Sequence, residues 1–334
     1  MKRYGEEMKK KIFCVALGAL LFALCGSAEA QQPRKLHRIG ILDRTAASNS
    51  RVLWDAFRQE MRKLGWIEGN NVEYRFTEEK NENAPELARD LVRSKVDLIV
   101  VTGIPLALAA KKATSTIPIV MTNVSDPVGA GLVASLARPE GNVTGLASLS
   151  TELNTKRLEV LKDAVPRLSR VGVLRLSGDN KGQEIQMKEL KPAALALKLN
   201  LEEIETQADA KGLESAFHTA NNKQVGAIMP TATRGFFGAR KRIVELAGKH
   251  QLPAIYFQKE FVDEGGLMSY GADYDDLFRR AAGYVDKIFK GAKPADLPVQ
   301  QATKFEFVFN LKAAQQIGLT IPVRVLERAN RVIK

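Results

Sequence analysis

Residues 96–101 read Val96-Asp97-Leu98-Ile99-Val100-Val101, and residues 38–42 read Arg38-Ile39-Gly40-Ile41-Leu42. Both runs are nearly all apolar and too short for helices, which is the signature of strands covered on both faces, as in parallel sheets. Working outward from them, short apolar runs alternate with helix-length amphipathic stretches from Leu36 onward. That alternation argues for an α/β architecture with mostly parallel sheets. Residues 71–77 differ. Val72, Tyr74 and Phe76 alternate with Glu73, Arg75 and Thr77, the period of a half-exposed edge strand. The first half therefore reads strand, helix, edge strand, helix, strand, helix, strand, the last strand over 117–121.

The second half repeats the order, with strands expected near 170–176, 199–205, 225–229 and 253–257. Two doubly wound, Rossmann-like lobes follow, lobe 1 over 36–149 and lobe 2 over 150–279. The last part of the chain, from about 280 to 334, contains a strand-like Phe305-Glu306-Phe307-Val308-Phe309. The economical expectation is that all of it completes lobe 1, so that the chain crosses between lobes more than once and the crossings form a hinge.

The N-terminus carries a basic block at Lys9, Lys10 and Lys11, an apolar run from Ile12 to Leu24 and a small-residue tail Gly26-Ser27-Ala28-Glu29-Ala30. This is the order of a secretory signal peptide over residues 1–30, cut after Ala30. Met8, directly before the lysines, offers a second start position. Cys25 follows Leu24, whereas a lipoprotein cysteine wants a small residue before it, so an unanchored product is expected. Both cysteines, Cys14 and Cys25, fall inside this segment, which removes disulfides, thiolate catalysis and cysteine metal sites from consideration. The full chain has 50 basic and 38 acidic residues; without residues 1–30 it keeps 45 against 35, a balance of +10. The basic residues are interspersed with acids, as at Lys156-Arg157 before Glu159, and no basic stretch is interleaved with aromatics. A solvated surface is expected, not a nucleic-acid interface.

In open parallel sheets a ligand lies beyond the carboxyl ends of the strands, where strand order reverses. For a 2-1-3-4 order this selects Arg44 to Ser50 with Thr45, then Thr102, Gly103 and Ile104 before Pro105, then Asn123, Val124, Ser125 and Asp126 before Pro127. In the second lobe it selects Ser177 to Lys181 with Asp179 and Asn180, then Thr231 and Thr233, then Gln258 to Phe261. Thr102 either caps its helix or joins backbone N–H groups in holding an anionic ligand group. Asp126 is either an N-cap or a partner for a ligand ammonium. Tyr256 and Tyr270, at strand ends, are either core or an aromatic wall for the ligand. Signatures of dinucleotide, P-loop, serine-hydrolase and zinc-protease sites are absent from the sequence. His37, His218 and His250 fall away from the expected strand mouths. No catalytic residue, metal or cofactor is expected.

The run Asp126-Pro127-Val128-Gly129-Ala130-Gly131-Leu132-Val133-Ala134-Ser135-Leu136-Ala137-Arg138-Pro139 resembles the ABC transporter substrate-binding proteins of the tryptophan/tyrosine-type family, which have the type I periplasmic binding protein fold. Gly265-Gly266-Leu267-Met268-Ser269-Tyr270-Gly271 carries the likeness further, as do Arg279-Arg280-Ala281-Ala282 and Ile317-Gly318-Leu319-Thr320-Ile321-Pro322. The resemblance implies a periplasmic clamshell, monomeric, that captures a small solute (an amino acid, aromatic in some relatives, or a related carboxylate) and delivers it to an ABC permease and its ATPase. It also implies that the loops at Thr102 to Ile104 and Asn123 to Asp126 face the cleft. Glu140 stands where relatives usually have a glycine, and Ser177-Gly178-Asp179-Asn180 lacks the Asn-Pro type of loop many relatives show. Alternatives from other classes are an exported α/β enzyme acting in the same cleft and a sensory receptor. A repressor is disfavoured because no helix-turn-helix precedes the first lobe.

Overall fold

The computed structural model describes residues 35–43, 47–77, 83–149, 152–178 and 181–334. Residues 1–30, read above as a signal peptide, lie outside the described residues, as do Thr45, Asp179 and Asn180. The first lobe is built on β1 (His37–Leu42), β2 (Val72–Phe76), β3 (Leu98–Val101), β4 (Ile119–Val124) and β5 (Val143–Ala147). They lie side by side in the order β2-β1-β3-β4-β5 and all run parallel. The apolar runs that decided the fold sit in the middle: all four residues of β3 and all six of β4 are buried. β2 occupies the edge with only Val72 buried, as its alternation requires.

Helices cover both faces of this sheet. The Ala47–Lys63 helix buries Leu53, Trp54, Phe57 and Met61 on one side, in the same cluster as Leu277, Phe278, Ala281 and Val285 of the Tyr274–Phe289 helix. On the other side, the Ala84–Arg93 and Gly103–Ala113 helices pack Leu91, Ala107 and Ala110 with Ile99 and Val101. The Ala84–Arg93 helix begins where Asn83 accepts a hydrogen bond from the Glu86 N–H at 3.2 Å, with Pro85 in the first turn. Both are standard start signals, because the first helical N–H groups need an outside acceptor and proline has none to lose. Gly40 in β1 leaves the space that Leu91 fills: a Cβ there would come within 3.0 Å of the Leu91 Cδ1.

The second lobe uses β6 (Arg170–Leu176), β7 (Asn200–Thr206), β8 (Ala227–Pro230), β9 (Ile255–Tyr256) and β10 (Met268–Ala272). β6 lies between β7 and β8, both parallel to it, and a bridge from Ile228 to Ala254 leads on to β9 and then β10. The tail is divided. The Tyr274–Phe289 helix packs on the first lobe, and β11 (Gln300–Gln301) pairs with β5 there. However, β12 (Phe305–Asn310) runs antiparallel to β10, and β13 (Arg331–Ile333) pairs with β12. The expectation that all of residues 280–334 complete lobe 1 is thus corrected. Phe307 and Phe309 are buried with Met268 and Ile255 in the second lobe's core, where apolar surface is covered that would otherwise face water.

The chain accordingly passes between lobes three times: after β5, after β10 and after β11. Two of these crossings touch, since the Asp273 N–H donates to the Lys304 carbonyl at 2.9 Å. No helix among the described residues is long and apolar enough to cross a membrane.

One turn carries visible strain. Glu140 has φ of +58°, followed by Gly141 at +69°, and a side chain in the left-handed region costs roughly 1–2 kcal/mol. Glu140→Gly is expected to raise stability by about 0.5–1 kcal/mol, the relief being partly offset by the greater freedom of glycine in the unfolded chain. A chemical-denaturation midpoint that does not rise would contradict this.

Candidate functional site

β1 ends at Leu42, so the next residue, Asp43, stands at the carboxyl end of the central strand, beside the point where strand order reverses. Its carboxylate is only 6% exposed. Trp54, two turns into the Ala47–Lys63 helix, donates its Nε1–H to Oδ2 at 2.8 Å, and the Thr102 hydroxyl donates to Oδ1 at 3.3 Å. From the other lobe, Arg234 reaches the same group with a fork: Nη2 to Oδ2 at 2.8 Å and Nε to Oδ1 at 3.3 Å. A two-point guanidinium–carboxylate pair is the strong form of a charge-assisted hydrogen bond. Here it spans 191 residues of sequence and joins the facing ends of the two sheets.

The surroundings explain why these side chains hold their positions. The Arg234 guanidinium lies over the Phe237 ring at 4.8 Å, a favourable arrangement for a cation. Thr231 and Thr233 fix the loop that presents it. The single proton of the Thr231 hydroxyl is shared between two acceptors in range, the Leu174 carbonyl at 3.0 Å and Gln183 Oε1 at 2.7 Å, and Thr233 Oγ1 accepts from the Phe236 N–H at 3.3 Å. Gln186 grips Ala232 from both sides, its Oε1 accepting at 2.8 Å and its Nε2 donating at 3.2 Å. Opposite, Gly103 has φ of +70° and donates its N–H to Asn123 Oδ1 at 3.3 Å. A Cβ on Gly103 would lie 4.0 Å from the Arg234 Cγ, so this helix start is in contact range of the arginine.

A buried aromatic cluster stands beside the pair. Trp54 meets Phe278 edge-on at 4.9 Å and Phe76 at 6.0 Å. Nearer the crossings, Arg157 is fully buried. Its Nε donates to the Tyr270 carbonyl at 2.7 Å and Nη1 to Asn154 Oδ1 at 2.5 Å, and burial draws its guanidinium down to about 10.

Of the residues expected at the site, Thr102, Gly103 and Asn123 are gathered around Asp43 and Arg234. Thr102 makes no side-chain cap to its helix; its hydroxyl is spent on Asp43. The Ile104 and Val124 side chains belong to the first lobe's core. Ser125 is half-buried. Asp126 accepts from the Gly129 N–H at 2.8 Å, so its carboxylate is engaged in the turn. Of the two readings open for Tyr256 and Tyr270, core or an aromatic wall for the ligand, core packing is the one the structure shows for Tyr256, and Tyr270 is half-buried against the same lobe's core. Tyr256 has no exposure and stacks on Phe261 at 4.6 Å with 9° between planes, and burial raises its phenol well above the usual range. Tyr270 packs against Phe307 at 6.2 Å. Sequence reasoning missed Asp43, Trp54 and Arg234, although Asp43 and Arg234 lie one position beyond a strand and a selected loop.

The loop after β9 carries a second polar group of note. Glu260 is 9% exposed, and neither of its carboxylate oxygens has a hydrogen-bond partner; the neighbouring Gln258, 2% exposed, has a buried Nε2 in the same condition. Burial pushes the Glu260 carboxyl up to about 7, against the pull of its own backbone amide and of Lys259. Lys259 itself is held by Asp275 at 3.0 Å and Glu306 at 3.5 Å. Because the folded state binds this proton more tightly than the unfolded chain does, Glu260 adds stability at pH below about 4.5, and that contribution falls as pH rises to about 7, by roughly 2–3 kcal/mol. Over that window the difference in stability between Glu260→Gln and the parent is expected to widen in the variant's favour. A difference that stays flat with pH in denaturant titrations would refute it.

The model of the family described as ABC transporter substrate binding protein matches residues 51–333. The chain is 31% identical over 262 residues to the tyrosine-binding protein of Clostridioides difficile strain R20291, covering 76% of this chain and 73% of that protein. Among solved structures, it is similar to a conserved domain protein from Vibrio cholerae O1 biovar El Tor (TM-score 0.81, 29% identity, 89% of this chain and 100% of that one). It is also similar to an ABC domain in complex with L-Trp from Streptococcus pneumoniae (TM-score 0.78, 26% identity, 88% and 100%). The two-lobed arrangement is the type I periplasmic binding protein fold. With the family model spanning most of the sequence and this relative agreeing, the chain belongs to the ABC transporter substrate-binding protein family.

Proposed function

We propose that this protein is the periplasmic receptor of an ABC importer, acting as a monomer that closes its two lobes on an aromatic amino acid and hands it to a permease driven by an ATPase. The observation that carries the reading is the buried Asp43–Arg234 pair, with side chains only 3% and 11% exposed, standing between the lobes beside the strand-order reversal. Arg234 keeps one buried donor, Nη1, without a hydrogen-bond partner, and a ligand carboxylate is the group that suits it. The ring of the ligand would lie against Trp54 or Phe237, the aromatic side chains in contact with the pair. The tyrosine-binding relative and the L-Trp complex support an aromatic side chain. The secretory order of residues 1–30 and the family's transport role support export and the importer partners.

A ligand that binds only the folded, closed form stabilises it by mass action, by about 2.7 kcal/mol at a hundredfold excess over Kd. With protein unfolded and refolded to strip carried-over solute, L-tryptophan or L-tyrosine is expected to raise the melting temperature, and glycine and neutral sugars to leave it unchanged. The absence of a shift with every aromatic amino acid would overturn the reading.

A further inference from the structure

Asp43 is saturated. Its two oxygens accept from Trp54, from the Thr102 hydroxyl and twice from Arg234, and a carboxylate offers about four lone-pair sites. A zwitterionic ligand whose carboxylate goes to Arg234 therefore needs another acid for its ammonium, because a buried cation without a counter-charge is strongly disfavoured. Asp286 is engaged by Trp66 and Lys290. Asp275 already has a counter-charge, Lys259, on Oδ2, although its Oδ1 is buried without a hydrogen bond. Glu260 has both oxygens buried and unpartnered, with Gln258 Nε2 beside it in sequence and equally unpartnered. Buried polar atoms in native proteins are almost always satisfied, so such a group calls for a partner.

Position agrees with chemistry. Glu260 follows β9, at the carboxyl end of a second-lobe strand, where this architecture places ligand-binding loops. Its neighbour Phe261 packs edge-on against Phe237 at 6.5 Å, and Phe237 carries the Arg234 guanidinium at 4.8 Å. Phe261 and Phe237 thus pack together, and Glu260 and Arg234 follow neighbouring strands, β9 and β8, of the same lobe.

We propose that Glu260 is the ammonium-binding residue of the cleft, accepting from the α-ammonium of an amino acid whose carboxylate is held by Arg234. This rests on the amino-acid reading given above. It assigns Glu260 a role in choosing the ligand: α-amino acids are favoured over the same molecules lacking the amino group.

The test is calorimetric titration of the ligand-stripped protein and of Glu260→Gln with L-tryptophan and L-tyrosine, and with their des-amino counterparts indole-3-propionate and 3-(4-hydroxyphenyl)propionate. The parent is expected to bind the amino acids at least 100-fold more tightly than the des-amino acids. Glu260→Gln is expected to weaken the amino acids by about 30- to 100-fold, the loss of one charged hydrogen bond, and to leave the des-amino acids within about threefold of the parent, the scatter expected when no charged contact is lost. Since the variant removes a buried charge, it is expected to fold. Equal weakening of both ligand sets, or none, overturns the assignment while leaving the amino-acid reading intact. Failure of the parent to bind either amino acid overturns both.

Discussion

Arg234→Met is expected to lower the affinity for an aromatic amino acid by at least 100-fold and to leave the lobes apart at ligand concentrations that close the parent. Methionine keeps the length and the contact with Phe237 but removes the donors that hold Asp43 and the one assigned to the ligand carboxylate. Breaking a buried ion pair by deleting one partner typically costs 3–5 kcal/mol, because the other charge stays buried alone. On the proposed clamshell reading the cost would fall on the closed form, since opening the cleft would let water reach Asp43, and the closed fraction is expected to collapse. Arg234→Lys keeps the charge but cannot make the two-point contact, so an intermediate loss is expected. Calorimetry gives the affinity, and solution scattering with and without ligand gives the closure. Parent-like affinity in Arg234→Met would remove Arg234 from the site.

Gly271→Ala is expected to destabilise the fold by about 3 kcal/mol or more and to weaken binding as well. A Cβ at this position would stand 2.0 Å from the Phe257 carbonyl oxygen and 3.0 Å from its carbon. Backbone cannot swing aside as a side chain can, and overpacking of this kind is costly. β9 and β10 would have to part at their carboxyl ends, carrying Gln258 and Glu260 out of place. The effect is read as a fall in the thermal midpoint of several degrees, at roughly 2–4 °C per kcal/mol for chains of this order of size. A midpoint within a degree of the parent would show that the strands yield easily.

Most of the architecture could be read from the sequence because it depends on local pattern. The nearly all-apolar runs at 38–42 and 96–101 became central parallel strands, and the alternating run at 71–77 became the edge strand. The rule that ligands gather beyond strand ends also selected Thr102, Gly103 and Asn123, which the structure places around the Asp43–Arg234 pair. What could not be read was pairing over long distance. Nothing local distinguishes Asp43 from any strand-end acid until Arg234, 191 residues away, is seen to reach it. Nothing in Phe305–Phe309 says which sheet it joins, because either would bury it. Whether Tyr256 and Tyr270 were core or an aromatic wall stayed open for a related reason: a strand end fixes where the backbone goes, while the packing of Phe261 and Phe307 decides which way the ring turns.

The three crossings between lobes also govern the order in which the molecule can be built. β5 waits for β11 at Gln300–Gln301, and β10 waits for β12 at Phe305–Asn310. Since chains emerge N-terminus first and domains tend to fold as they appear, a two-lobed protein with consecutive lobes could finish the first before the second was made. This one cannot. Each sheet lacks one of its strands until residues 300–310 have been made, so neither lobe is completed before the other.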